Sequence, residues 1–235
     1  MTFPESLKPR ILFEDQHLVV LDKPAGLLSH GEISGDFNLV DYLKTYFGRN
    51  YVGLIHRLDR NTSGIMIVAK RSKSAQRLTD SLQKDEIERK YLAWVLGSME
   101  GEIQWRHFLL KDPRTNKVRV LSPLETTRLR AEKPAEKIQE AVLTAKSIAR
   151  GNWEDSVLTL LELNLETGRS HQIRAQAAAE KHPLLGDIKY GAQTTSTFPR
   201  PALHSHTVKF PHPMSKEILI FEAKLPADFE RIKKL

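Results

Sequence analysis

Short apolar runs bounded by turn residues dominate this chain, and helical periodicity is confined to a few stretches. Residues 11–14 and 18–21 predict two strands joined by the polar turn Asp15-Gln16-His17, and Lys23-Pro24-Ala25-Gly26 then breaks the pattern. Residues 39–47 set Leu39, Val40, Leu43 and Phe47 at helical spacing. Ile65-Met66-Ile67-Val68-Ala69 is a continuous apolar run, the pattern of a buried strand. Residues 74–84 predict an amphipathic helix, with Ala75, Leu78 and Leu82 on one face and Lys73, Arg77 and Lys84 elsewhere. Residues 91–96 predict a strand that ends at Gly97.

From about residue 111 to 139 the chain is polar and strongly charged. Val118, Val120, Leu121 and Leu124 are too frequent there for disorder, so the segment is expected to form hairpin and loop at one edge of the fold. Strands resume at 141–148 and 157–165. The turn Glu166-Thr167-Gly168-Arg169 leads into an Ala-rich helix over 170–181, with Ser170 placed as its cap. Strands over 203–210 and 218–225 close the chain. Strands outnumber helices and come in runs, which predicts an α+β fold with a mixed or largely antiparallel sheet. No repeat or low-complexity tract interrupts it, and a single domain over residues 1–235 is the simplest reading.

Composition narrows the chemistry. Lys and Arg number 36 against 29 Asp and Glu, a net charge of +7 that suits an acidic partner such as nucleic acid. Cysteine is absent, which excludes disulfides, thiolate zinc sites, iron–sulfur clusters and a Cys nucleophile. Met1-Thr2-Phe3-Pro4-Glu5 has no basic head followed by an apolar stretch, and no run approaches the ~18 apolar residues of a membrane span, so a cytoplasmic location is expected.

The segment richest in chemistry is His56-Arg57-Leu58-Asp59-Arg60-Asn61-Thr62-Ser63-Gly64. It sets one carboxylate, Asp59, between two arginines on a loop that feeds the apolar run. A strand holds such an acid rigidly and leaves it open to substrate, and the flanking arginines attract a polyanion and favour the ionised acid. A second segment, Leu165-Glu166-Thr167-Gly168-Arg169-Ser170-His171-Gln172-Ile173-Arg174, brings a strand to a helix N-terminus, where backbone N–H groups attract anions. Arg169 and His171 suit phosphate there. Arg174, about one turn in, could reach across to pair with a buried carboxylate. In Arg89-Lys90-Tyr91, at a strand start, Tyr91 offers a flat ring for a base and a phenol able to handle a proton.

Taken in order, the KPAG turn, the HRLDRNTSG loop, Arg-Lys-Tyr, LETGRSHQIR and Leu203-His204 resemble the RluA family of pseudouridine synthases, from about residue 11 to 229. The resemblance implies isomerisation of a uridine within RNA: the N1–C1′ glycosidic bond breaks and the sugar rejoins at C5. It implies a central mixed sheet, flanking helices and loops, and a catalytic cleft. The family's essential aspartate falls on Asp59, its carboxylate-pairing arginine on Arg174 and its active-site tyrosine on Tyr91. The aliphatic residue near the base falls on Ile173, and Arg57 resembles the residue that takes up the space of a flipped nucleotide. Lys23, Arg169 and His171 complete the expected substrate-binding set. A stacked uridine must leave its stack at a cost of a few kcal/mol, which phosphate contacts offset.

The resemblance leaves open whether Asp59 attacks C1′, attacks C6 or removes the C2′ proton; action at the sugar is favoured over addition to the ring. Its expected partner is structured RNA, of the 23S ribosomal type and/or transfer RNA, with no cofactor, no metal, no membrane and a monomeric state. Only about ten residues precede the first strand, too few for the accessory RNA-binding domain that many such synthases carry. Grip on RNA then falls to the basic middle segment and to Lys70-Arg71-Ser72-Lys73. Ser205 stands where the family usually has Ala. His204, His206 and His212 raise a metal site, but strand-edge histidines without an acidic cluster are usually structural. The HRLD run also resembles a kinase catalytic loop, but no glycine-rich loop or Asp-Phe-Gly accompanies it in order. An RNA-binding factor that kept the fold and lost catalysis is the remaining alternative; the presence of Asp59, Tyr91 and Arg174 argues against it.

Overall fold

The computed structural model describes residues 3–31, 35–192 and 197–234; the first two residues of the N-terminal stretch read above lie outside them. In chain order the elements are β1 (Arg10–Glu14), β2 (Leu18–Lys23), α1 (Leu39–Phe47), β3 (Gly53–Leu54), β4 (Ser63–Ala69), α2 (Ser72–Gln83) and β5 (Glu88–Leu96). There follow β6 (Glu102–Asp112), β7 (Lys117–Leu121), α3 (Pro123–Glu132), β8 (Gln139–Trp153), β9 (Ser156–Leu165) and α4 (Gln172–Ala179). The last are β10 (Leu203–Pro211), β11 (Ile218–Glu222), the short α5 (Ala227–Glu230) and β12 (Lys233–Lys234). The expected α+β class with mixed, largely antiparallel strands is what the chain adopts. It divides into two compact units: Met1–Lys90 with His204–Pro226, and Tyr91–Leu203 with Ala227–Leu235.

In the first unit β4 is central and buried along its whole length. One of its edges pairs antiparallel with β2, from Leu18↔Ala69 to Lys23↔Gly64. The other is shared: β10 pairs parallel at Ser63 and Gly64, and β3 pairs antiparallel at Val68 and Ala69. β1 extends the sheet from β2, and β11 from β10. Ile65, Ile67 and Ala69 alternate onto one face and meet Leu18, Val20, Leu78 of α2, Val208 and Phe210 in a closed apolar cluster. Gly64 is where the loop becomes strand. Its φ is +111°, and a Cβ there would lie 2.1 Å from the Ser205 carbonyl oxygen, so only glycine lets β10 approach. The Thr-Ser-Gly of the motif is in this respect a packing requirement.

The second unit carries antiparallel strands in the spatial order β7, β6, β8, β9, in which β7 pairs with β6, β6 with β8, and β8 with β9. Helix α4 packs Ala175 against Leu109, Val118, Ala141 and Tyr190. Two buried glutamines bolt the helix to the strands. Gln176 Nε2 donates to the carbonyls of Trp105 and Ala141 (3.2 Å each), and Gln172 Nε2 donates to that of Val142 (3.2 Å).

Two sequence expectations need correction here. The segment expected as hairpin and loop begins only at the end of β6 and holds the turn and β7 of the β6–β7 hairpin, and Pro123–Glu132 is a helix. It forms because Ser122 and Glu125 make a capping box with Pro at the first turn, while its faces carry too little apolar contrast to show as periodicity. Ser170 does not cap α4. The helix starts at Gln172, its cap residue His171 is left-handed at φ 51°, and the Gln172 side chain itself accepts from Arg169 N (2.9 Å). Among the described residues, no helix is long and apolar enough to cross a membrane.

Candidate active site

Asp59 belongs to the first unit, on the loop that enters β4. The main chain on each side of it is clamped by the segment that follows β2. On one side, Leu58 is buried, its N–H donates to Ser29 Oγ (3.2 Å), and Ser29 Oγ donates back to its carbonyl (2.6 Å). On the other, the Arg60 carbonyl accepts from Gly26 N (2.8 Å) and from Lys23 Nζ (3.1 Å). The Asp59 carbonyl accepts from Thr62 N (3.0 Å) and closes the turn into β4. Asp59 itself is half-buried. The main chain that carries it is therefore held on both flanks by hydrogen bonds to its backbone groups.

Lys23 is fully buried, and its ammonium also donates to the carbonyls of Pro24 (3.0 Å) and Leu27 (2.8 Å). It ties the KPAG turn to the aspartate loop. Each such charge-assisted bond stabilises the loop by about 1.5–3 kcal/mol. Arg57 is exposed beside His30, with Nη1 and Nε2 3.3 Å apart. Arg60 pairs with Asp36 at 2.8 Å, with both side chains about half exposed, so that pair contributes little. His56 is buried beneath the loop, and its Nε2 accepts from Ile67 N (3.2 Å). Burial, and then the charge of Arg89, holds its pKa down to about 3, so the ring is neutral at physiological pH.

The second unit carries Tyr91, Arg169, His171, Ile173 and Arg174. Tyr91 is buried on β5, and Ile173 is buried in the first turn of α4. Arg174 makes a two-pronged pair with Asp187: Nε to Oδ2 at 2.7 Å and Nη2 to Oδ1 at 2.8 Å, with Asp187 almost fully buried. Its guanidinium also lies 5.0 Å over the ring of Tyr190. Tyr190 in turn accepts from Val118 N (2.8 Å) and meets His171 Nδ1 at 2.9 Å. His171 and Arg174 are thus joined through one tyrosine, while Arg169 is exposed and donates Nε–H to the Glu140 carbonyl (3.0 Å).

Asp187, Tyr190 and Ser29 are residues that the sequence did not single out. The only local signal for Asp187 is Gly186 before it, after the apolar Leu184-Leu185, which marks a turn and names no partner. Gly186 has φ +73°, and a Cβ would lie 2.3 Å from the Arg200 carbonyl oxygen, so the turn that delivers Asp187 demands glycine. The three late histidines each have a partner elsewhere: His204 with Ser63 (2.9 Å), His206 with Glu222 (3.5 Å) and His212 with Asp15 (2.9 Å).

Comparison with known proteins identifies the family. A family model described as RNA pseudouridylate synthase matches residues 17–179. The chain is 34% identical to the ribosomal large subunit pseudouridine synthase D of Nitrosomonas europaea, over 95% of this chain and 64% of that protein. It is 35% identical to an uncharacterized RNA pseudouridine synthase of Bacillus subtilis, over 97% of this chain and 72% of that protein. The chain thus spans about two thirds of the length of these relatives. Among solved structures, the human RNA pseudouridylate synthase domain containing 1 superposes with a TM-score of 0.78, covering 100% of this chain and 92% of that one at 18% identity, a likeness of fold. Its ordered motifs, the extent of the family match and the identity to these relatives together show that the chain belongs to the RluA-type family of RNA pseudouridylate synthases.

Proposed function

We propose that this protein is an isomerase that converts a uridine in structured RNA to pseudouridine, acting as a single catalytic domain. The observation that carries the reading is the double main-chain clamp around Asp59, the position on which the family's essential aspartate falls. In this reading Asp59 is the reacting carboxylate and acts at the sugar of a flipped-out nucleotide. Tyr91 and Arg174 complete the catalytic set, and Ile173 lines the base. Arg57, Arg169 and His171 meet the RNA, and Lys23 serves substrate binding by shaping the loop from beneath. The role of Arg174 is supported by how firmly it is aimed: Asp187 grips two of its nitrogens and Tyr190 supports its face. The chemistry asks for no metal or redox cofactor.

The names of the relatives, among them ribosomal large subunit pseudouridine synthase D, point to ribosomal RNA of the large subunit as the first substrate to test; transfer RNA, which the family resemblance also allows, is the second. A monomer in the cytoplasm suits the reading. The direct experiment supplies RNA tritiated at uridine C5 and counts label released to water. Wild type should release label, and Asp59→Asn should lower release by about 10³-fold or more while still binding RNA. Equal binding without release from either protein favours an RNA-binding factor. Arg174→Ala should abolish turnover with nearly unchanged RNA affinity, because its guanidinium is committed to carboxylate and ring contacts and has little left for a phosphate. A large affinity loss with normal turnover contradicts that assignment.

A further inference from the structure

The aspartate loop lies at one end of β4. At the other end, where the strand gives way to α2, the first unit holds an open cavity of about 620 Å³. Arg49, Tyr51, Arg71, Lys73 and Ser74 are among its lining residues. No carboxylate lines it. Two carboxylates close in sequence to its lining residue His17 are already matched: Glu14 by Lys70 at 2.6 Å and Asp15 by His212 at 2.9 Å.

The mouth of α2 is built to lack an acceptor. The cap residue is Arg71, in extended conformation, with no side-chain cap bond, since a guanidinium cannot accept one. The first helical hydrogen bond runs from Ala75 N to the Arg71 carbonyl, so the N–H groups of Ser72, Lys73 and Ser74 precede it. A second observation is independent of the helix end. Ser74 is 1% exposed and lines the cavity, and its hydroxyl has no hydrogen-bond partner among the described residues. A buried hydroxyl without a partner is costly and uncommon, and an arriving acceptor would satisfy it. Backbone donors, a waiting hydroxyl and exposed cations at Arg49, Arg71 and Lys73 converge on one kind of ligand, an oxyanion.

We propose that this cavity is a second RNA contact, which grips a backbone phosphodiester of the substrate remote from the reacting nucleotide. The proposal rests on the RNA-modifying reading above. A seven-residue strand puts the cavity roughly 20 Å from the aspartate loop, a span that a continuous RNA substrate covers. A volume of this order takes a phosphate with its flanking sugars. The donors contact no base, so the grip adds affinity and register without sequence preference.

The test measures anisotropy of a fluorescein-labelled ribosomal RNA stem–loop across a salt series, with tritium-release kinetics alongside. Ser74→Val, which changes no charge, should weaken RNA binding several-fold. Arg71→Glu with Lys73→Glu should weaken it at least tenfold and flatten the log–log salt slope by roughly one unit per lost phosphate contact. Both variants should raise KM and leave kcat at saturating RNA unchanged. Lys84→Glu with Lys224→Glu, the same charge change at exposed positions elsewhere on this unit, should leave affinity within about twofold and thereby separate a built site from a diffuse field. Wild-type affinity and slope in the first two variants overturn the proposal, as does an equal loss in the control. Titration with inorganic phosphate separates the sources: binding that Ser74→Val removes while RNA affinity stays intact marks a site for free anions and overturns the RNA assignment. Failure of wild type to release tritium from any RNA sinks the isomerase reading instead and leaves the anisotropy comparison decisive for the cavity.

Discussion

The loop around Asp59 and the cluster around Arg174 hold their functional groups by opposite means. The first fixes main chain. Leu58 is pinned through its amide and carbonyl by Ser29, and Arg60 through its carbonyl by Gly26 and Lys23, so the main chain that carries Asp59 is fixed. The second fixes a side chain. Arg174 is aimed by a buried carboxylate and an aromatic ring that come from the turn after α4. A main-chain clamp spreads its hold over several short-range bonds, the charge-assisted one from Lys23 among them, and tolerates the loss of one neutral bond with modest cost. A buried ion pair fails sharply when one partner goes, because the other charge is left without compensation.

That contrast can be broken at its strongest point first. Asp187→Ala should destabilise the protein by about 4 kcal/mol in urea titration, since it removes a two-pronged carboxylate partner from a guanidinium in a largely buried site. It should also lower turnover, and Asp187→Asn should restore part of the stability. A cost below about 1 kcal/mol would show that Arg174 is positioned by something other than its carboxylate partner. Ser29→Ala should cost about 2 kcal/mol, because the buried N–H and C=O of Leu58 each lose a partner. Its larger signature should be kinetic, a fall in kcat with little change in KM as the aspartate loop loosens. Unchanged kcat would mean that the clamp on one flank suffices.

The smallest expected effect concerns pH. His56 is neutral in the fold with a pKa near 3, against an ordinary value near 6.5 in the unfolded chain. The unfolded state therefore binds the proton first as pH falls. Its contribution is fully present above about pH 6.5 and is lost progressively down to about pH 3. Stability should drop by about 1 kcal/mol between pH 6.5 and 5.5, and the drop should vanish in His56→Gln. A His56→Gln variant with the same pH profile as wild type would assign that slope to other groups.

The same division between local and distant forces explains what could be read from the chain. Helix α1 was legible to the residue because its apolar positions keep one face, and in the structure Asn38 caps it. Strand β4 was legible because an unbroken apolar run fits a strand buried along its whole length. The start of α2 is two residues earlier than expected, because Arg71 occupies a position where an acceptor normally announces a helix. Helix α3 carried its signal in Ser122-Pro123-Leu124-Glu125, a capping box without an apolar stripe to follow it. Strand β6 has an irregular burial pattern and no clean alternation, so no periodicity marked it. In the candidate site, the motif residues stood out because their chemistry is concentrated in short segments. Asp187 and Ser29 did not, because each acts on a partner 13 and 29 residues away, and only the folded chain brings those pairs together.

The most direct test of the central claim is a pseudouridine map of total RNA from cells without this gene, complemented with wild type or with Asp59→Asn. The account predicts that one or a few uridines lose their modification in the deletion and regain it with wild type alone. Restoration by Asp59→Asn, or a map identical in all strains, would contradict it.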